Sequence, residues 1–214
     1  MVSNSYFRAE GVAKLWKTGQ NGSEGGGCGY LAPRYNGGVP FAIRDFRPAD
    51  FDTLWRIDQT CFAPGISYSR AELRLYVRRR ASFTLVAIGP ADEETTDPNS
   101  GRGGKYSAAT APADAAIAGF IVAEAGGRAR GHIITIDVIA AARRFGVGSL
   151  LLRAAEDRLI SAGCRAVELE TAVDNVSALS FYKRHGYSVI KTFPRYYSNG
   201  VDALVLEKEL KCAG

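Results

Sequence analysis

The segment Arg143-Arg144-Phe145-Gly146-Val147-Gly148-Ser149 puts two guanidinium groups and two glycines between a strand-like run and a strongly amphipathic helix pattern. Glycines carry no Cβ, so a ligand can approach the backbone amides at the start of that helix. The helix end contributes about half a positive charge, and Arg143 and Arg144 add full ones, a combination that suits a diphosphate better than a carboxylate. A dinucleotide fingerprint does not fit, because Leu151 stands where its third glycine would be. No Lys-Ser/Thr pair follows, so this is not a P-loop either.

The elements that must position this segment alternate. Phe41 to Arg44 predicts a first strand, and Pro48-Ala49-Asp50 opens a helix through about Gln59, with proline early and acids in the first turn. Arg70 to Arg80 is a second helix. Ser82 to Ile88, Ala116 to Glu124 and His132 to Ile139 read as strands, the last two joined through Gly126-Gly127. Val147, Leu151, Ala154, Ala155 and Leu159 recur at helical spacing up to about Ala162, with Gly163 as the stop. Ala166 to Ala172 alternates as a strand, Asp174 or Asn175 caps a short helix to about Arg184, and Gly186 ends it. Tyr187 to Thr192 and Ala203 to Glu209 form a terminal hairpin around a tyrosine-rich loop. The order β, α, α, β, β, β, α, β, α, β, β implies a mixed α/β sheet covered by helices.

Two stretches stand apart. Residues 1–38, with a glycine cluster at Gly25, Gly26, Gly27 and Gly29, read as a poorly structured leader. Residues from Pro90 to about 115, rich in Ala, Thr, Gly, Asp and Pro, read as a long surface loop between strands. The 214 residues, 46% hydrophobic, therefore hold one domain over residues 39–210 with room for a sizeable core. No apolar run approaches the roughly 18 residues of a membrane span, and the first residues lack a secretory apolar region. The expected location is cytoplasmic. Four scattered cysteines without a CxxC pair and two histidines give no zinc pattern. An excess of 5 basic over acidic residues fits an anionic ligand, and no nucleic-acid partner is expected from it.

The chain resembles the GNAT acetyltransferases. Arg143-x-x-Gly146-x-Gly148 matches their (Q/R)-x-x-G-x-(G/A) motif, and Val173 to Tyr187 looks like their N-x-x-A-x-x-(F/L)-Y-x-x-x-G-(F/Y) segment. Tyr196-Tyr197 with Asp202-Ala203 resembles the ending of the N-terminal α-amine group, both the bacterial ribosomal-protein-alanine type and the archaeal and eukaryotic catalytic subunits. One departure is Ala140 or Ala141, where that family often has a proline before the motif.

The resemblance implies the GNAT fold, a mostly antiparallel central sheet with flanking helices. It also implies acetyl-CoA as donor, no metal, and direct transfer to an amine in a ternary complex. The diphosphate would rest on amides from Arg143 through Arg144, Phe145, Gly146, Val147 and Gly148 to Ser149. The pantetheine would pair with the backbone near Ile136 and Val138, the Val138 amide polarising the thioester oxygen, and Asn175 would touch the cofactor from the other side. Glu170 takes the place of the general base and Tyr182 that of the general acid. His132 stands where some α-amine enzymes have a tyrosine, a reserve base or water relay. Phe62 to Tyr68, with Tyr196 and Tyr197, fall where the family builds its acceptor groove.

An α-amine with a pKa near 8 is already substantially neutral around pH 7.5, whereas a lysine near 10.4 is neutral in about one molecule in a thousand, a handicap of roughly 4 kcal/mol. A protein N-terminus is thus the expected acceptor, and the resemblance implies that of a ribosomal protein. A lysine side chain or small-molecule amine, or a non-catalytic CoA sensor, are the alternatives the residues leave open. Glu168 reads as a solvated strand residue, His185 as a favourable charge at a helix C-terminus, Cys61 and Cys164 as small buried hydrophobes, and Arg78-Arg79-Arg80 as a solvated cluster.

Overall fold

The computed structural model describes residues 41–62, 66–89, 116–197 and 199–211. Both stretches set apart above, the leader and the loop from Pro90 to about 115, lie outside them. Among the described residues seven strands form one sheet in the order β1-β2-β3-β4-β5-β7-β6. The strands are β1 (Ala42–Asp45), β2 (Ser82–Ile88), β3 (Ile117–Ala125), β4 (Arg130–Val138), β5 (Ala166–Ala172), β6 (Ser188–Phe193) and β7 (Ala203–Glu209). Four helices cover the sheet: α1 (Phe51–Cys61), α2 (Arg70–Arg78), α3 (Val147–Ser161) and α4 (Val176–Arg184). Pro48–Asp50 forms a 3-10 turn ahead of α1, so the proline starts a tight turn and not the α-helix itself.

Local chemistry explains the ends. Arg44 forks onto Asp50 at 2.7 and 2.9 Å, fixing the start of α1 to β1. Ser69 and Glu72 form a capping box on α2: the Ser69 amide donates to Glu72 Oε2 at 2.9 Å, and the Glu72 amide donates to Ser69 Oγ at 3.3 Å. Asn175 Oδ1 accepts the Ala178 amide at 3.1 Å and so caps α4.

Two apolar clusters lie on the two sheet faces. One joins α3 and α4 to the sheet through Val147, Leu151, Leu159, Tyr182, Leu169 and Ile133. The other joins α1 and α2 through Leu54, Ile57, Leu73, Phe120 and Ile134. Adjacent residues Ile133 and Ile134 thus face opposite ways, yet Ile136 and Val138 return to the α3 side with Ile133. A register shift opposite Val122 and Ala123 accounts for this: Val122 pairs with Thr135 and Ala123 with Ile133, so Ile134 is an extra residue that resets the alternation.

The decisive feature is the join between β4 and β5, the one parallel pair. Its register covers Arg130–Ala166, Gly131–Val167 and His132–Glu168 and stops there. Beyond it β4 keeps its ladder to β3 and β5 its ladder to β7, so the strands splay and their facing backbone edges share no ladder. The hairpin β6–β7 folds back so that β7, and not β6, lies beside β5.

Candidate active site at the splay of the central strands

The sequence segment between β4 and α3 forms the turn expected of an anion cradle. Ala140–Ala142 make a 3-10 turn where the family often has proline. Arg143 Nε donates to the Val138 carbonyl at 3.0 Å, which fixes the turn to the end of β4. Gly146 has φ +85°, a left-handed conformation that disfavours side chains, and a Cβ built there meets nothing within 4 Å. The first helical bond runs from the Leu150 amide to the Gly146 carbonyl at 3.0 Å, so the amides of Val147, Gly148 and Ser149 stand ahead of it. A Cβ on Gly148 would touch the Phe181 ring at 3.4 Å, so a side chain longer than alanine's crowds the gap between α3 and α4. Arg143, Arg144 and Phe145 are exposed around the turn. The open, cationic amide cluster fits a diphosphate, and the unpaired β4 edge over Ile136 and Val138 fits an extended amide-bearing chain beside it. The Val138 carbonyl itself is already engaged by Arg143.

At the mouth of the splay, His132 of β4 meets Glu170 of β5, Nε2 to Oε2, at 2.7 Å. Both side chains are almost entirely buried, 11% and 9% exposed. The pairing is a consequence of register: His132 sits opposite Glu168, and Glu170 is the next residue on the same face of β5. Burial works against a charge on the imidazole, yet Glu170, with Glu124 and Glu168 behind it, holds His132 above its ordinary value of 6.5. Nδ1 of His132 is buried with no hydrogen-bond partner among the described residues.

A polar row crosses the sheet here, since Ser82 pairs with Glu124, Glu124 with His132, His132 with Glu168 and Glu168 with Glu207. Arg130 bridges Glu168 and Glu207. Burial pushes the Glu168 carboxyl up, against the pull of Arg130. Glu168 is therefore a member of an ion-pair cluster and not the solvated residue expected from its strand.

Tyr182 lies on the opposite side of the sheet. It is 6% exposed and belongs to the cluster under α3 and α4 together with Val167 and Leu169, whose neighbours Glu168 and Glu170 point the other way. The splay separates the carboxylate–imidazole pair on one face from the tyrosine on the other.

Other expected residues are placed as follows. Asn175 caps α4 at the end of β5, and the Val173 amide donates to the Asp202 carbonyl at 3.0 Å, which draws the β6–β7 loop to that same end. Tyr196 and Tyr197 meet edge to face in this loop with centroids 5.2 Å apart, Tyr196 stacking on Phe193 and Tyr197 buried. Phe62 is half-buried after α1. Tyr68 is 3% exposed, and its hydroxyl donates to the Ile134 carbonyl at 3.3 Å, on the bulge of β4. Its amide donates to Asp58 at 2.8 Å, so Tyr68 braces β4 from beneath the α1–α2 connection.

Two residues do more than the sequence suggested. Cys61 sits half-buried with its thiol on the Val138 carbonyl at 3.4 Å and Arg143 3.7 Å away, and burial pushes that thiol up. His185 reaches the cradle itself, Nε2 lying 3.0 Å from Ser149 Oγ. Neither contact has a local signature, because the partners lie 77 and 36 residues away. Cys164 is buried in the α3 cluster as expected.

A sheet opened between two parallel strands, with a glycine turn leading into the helix that follows the first, is the arrangement of the acyl-CoA N-acyltransferase fold. The acetyltransferase (GNAT) family profile matches residues 55–187, and the chain belongs to that family. Among curated proteins it is 37% identical over 102 residues to an uncharacterized N-acetyltransferase of Methanocaldococcus jannaschii, covering 42% of this chain and 65% of that protein. It is 39% identical over 74 residues to N-alpha-acetyltransferase 30 of Schizosaccharomyces pombe, 35% of this chain and 49% of that protein. Among solved structures, the ribosomal-protein-S18-alanine N-acetyltransferase of Escherichia coli shares the fold with a TM-score of 0.61 at 18% identity, over 81% of this chain and 96% of that one. The chain thus spans less than two thirds of the length of these curated relatives. No described helix is long and apolar enough to cross a membrane.

Proposed function

We propose that this protein is an acetyl-CoA-dependent acetyltransferase acting on the N-terminal α-amine of a peptide or protein in the cytoplasm. The observation that carries the reading is the buried His132–Glu170 pair at the mouth of the splay, with Tyr182 on the opposite face. Family membership supports acetyl-CoA as donor, and the name of the fission-yeast relative supports an α-amine as acceptor. A ribosomal protein as acceptor rests on the resemblance of Tyr196-Tyr197 with Asp202-Ala203 to the ending of the ribosomal-protein-alanine type.

Acetyl-CoA supplies an activated thioester. The amides of Val147, Gly148 and Ser149, with Arg143 and Arg144, hold its diphosphate, and the edge of β4 at Ile136 and Val138 aligns the arm that leads into the splay. Asn175 borders the arm from the end of β5. The acceptor enters from the other face, past Phe62 and the Tyr196–Tyr197 loop. Glu170, in contact with His132, removes the proton that the amine nitrogen must lose, while the Tyr182 hydroxyl gives a proton to the departing sulfur. The amine adds to the thioester carbonyl and the C–S bond breaks as the carbonyl re-forms, so the base serves the attacking nitrogen from one face of the sheet and the acid the leaving sulfur from the other. His132, held against Glu170 at 2.7 Å, orients that carboxylate and stands in reserve as a base.

The test is mass spectrometry of peptides incubated with the protein and acetyl-CoA, with free or blocked N-termini and with or without internal lysines. Acetylation confined to free α-amines supports the reading. Acetylation of lysines on blocked peptides moves the acceptor to a side chain, and no acetylation of any peptide, with CoA bound, overturns it.

A further inference from the structure

Ser149 is the third residue of α3, so its amide stands ahead of the first helical bond, and its hydroxyl leaves the same turn. That hydroxyl is held from behind by His185, the residue that follows α4. Nε2 of His185 lies 3.0 Å from Ser149 Oγ, and Nδ1 lies 2.8 Å from the carbonyl of Phe181. The Phe181 ring packs on the imidazole at 4.4 Å, completing the grip.

A carbonyl oxygen only accepts, so Nδ1 carries a hydrogen in either charge state of the ring. In the neutral ring Nε2 is then a bare acceptor, and Ser149 must spend its single hydroxyl hydrogen on it. An anion in the cradle meets only the lone pairs of Oγ. In the charged ring Nε2 donates to Oγ, and the hydroxyl hydrogen is released to turn toward the cradle. We propose that His185 is a positioning residue for the cofactor diphosphate: the protonated ring frees the Ser149 hydroxyl to donate to the anion, and the neutral ring withholds it. This rests on the reading that CoA occupies the cradle.

Charged neighbours bear on the same equilibrium. Lys183 and Arg184 adjoin His185 on α4, Arg153 lies one turn beyond Ser149 on α3, and Arg143 and Arg144 flank the turn. Glu156, farther along α3, is already held by Tyr187 at 2.9 Å and Lys208 at 2.6 Å. An anion in the cradle compensates the added charge. Binding and protonation favour each other, and by linkage the coupling is reciprocal.

The experiment is calorimetric titration with dephospho-CoA across the imidazole range. This ligand keeps the diphosphate but lacks the 3′-phosphate, whose own ionisation near pH 6 would confuse the profile. Wild type is expected to bind about tenfold more weakly at pH 8 than at pH 5.5, the scale of one charge-assisted hydrogen bond. His185→Gln should give a flat profile, and Ser149→Ala should lose most of the slope. An equal slope in His185→Gln, or a flat wild-type profile, overturns the proposal while leaving the cofactor reading intact. Failure to bind dephospho-CoA at any pH overturns both. A second readout follows the His185 ring itself. The chain has only two histidines, so the His185 ring is identified by NMR once His132→Gln removes the other signal. Saturation with dephospho-CoA should move its titration to higher pH, and an unmoved titration refutes the proposal.

Discussion

Replacing Glu170 by glutamine keeps the shape of the His132 contact and removes the negative charge. The size of the resulting loss distinguishes two jobs for the carboxylate. If Glu170 only strips the ammonium before attack, its value is bounded by the amine itself. An α-amine with a pKa near 8 is about one quarter neutral at pH 7.5, so perfect deprotonation gains roughly fourfold, about 0.8 kcal/mol. If the carboxylate also takes the proton as the C–N bond forms, general-base catalysis contributes on the order of 10²–10⁴. The contact at 2.7 Å between two buried groups favours the second case, because burial keeps water from substituting as the acceptor. We expect Glu170→Gln to lower kcat by about a hundredfold or more at pH 7.5 with CoA affinity nearly unchanged. At pH 9.5 the substrate is almost wholly neutral, and a deficit of roughly 25-fold or more should persist. The assay is initial rate against peptide concentration at both pH values, with separate calorimetric titration of CoA. A deficit of fourfold or less that vanishes at pH 9.5 would refute the assignment of a transition-state role.

Tyr182→Phe should likewise lower kcat, by about ten- to a hundredfold, without weakening CoA binding; weakened binding with normal turnover would show that the ring only packs. Arg143→Ala combined with Gly148→Trp should abolish CoA binding in a titration, since the indole must occupy the gap in which a Cβ already approaches Phe181 to 3.4 Å. The pH dependence of stability follows from His132, which the carboxylates hold above 6.5 in the folded protein. A raised value stabilises the fold below the unfolded pKa, and that contribution disappears as pH rises through the folded one. His132→Gln should therefore cost more stability at pH 6 than at pH 9 in urea denaturation, and the reverse order would contradict the ion pair.

Much of the scaffold was legible because its signals are local. The helical spacing from Val147 to Leu159, the alternation along β5 and the Asn175 cap each act within a few residues, and Gly163 and Gly186 do stop the helices with φ of +85° and +86°. The three family motifs fall on the β4–α3 turn, on α4 with its flanks, and on the β6–β7 loop. What the sequence hid depends on partners far apart in the chain. The bulge at Ile134 reverses the sidedness of Ile136 and Val138, and nothing in the β4 sequence marks it. The approach of His132 to Glu170 across 38 residues comes from the three-pair parallel register. Tyr68 looked like a groove residue because it is aromatic in the right connection, yet Asp58 and the Ile134 carbonyl draw it inside. His185 looked like an ordinary helix-end charge until α4 was packed beside the first turn of α3.

In the proposed reaction Glu170 serves the attacking nitrogen from one face of the sheet and Tyr182 the leaving sulfur from the other. The most direct measurement is a crystal structure of the protein with CoA and a short peptide bearing a free N-terminus. The diphosphate is expected on the amides of Val147 to Ser149, the sulfur beside the Tyr182 hydroxyl, and the peptide amine on the His132–Glu170 side of the splay. A peptide amine on the α3 side with Tyr182, or a diphosphate bound away from the Arg143–Ser149 turn, would contradict it.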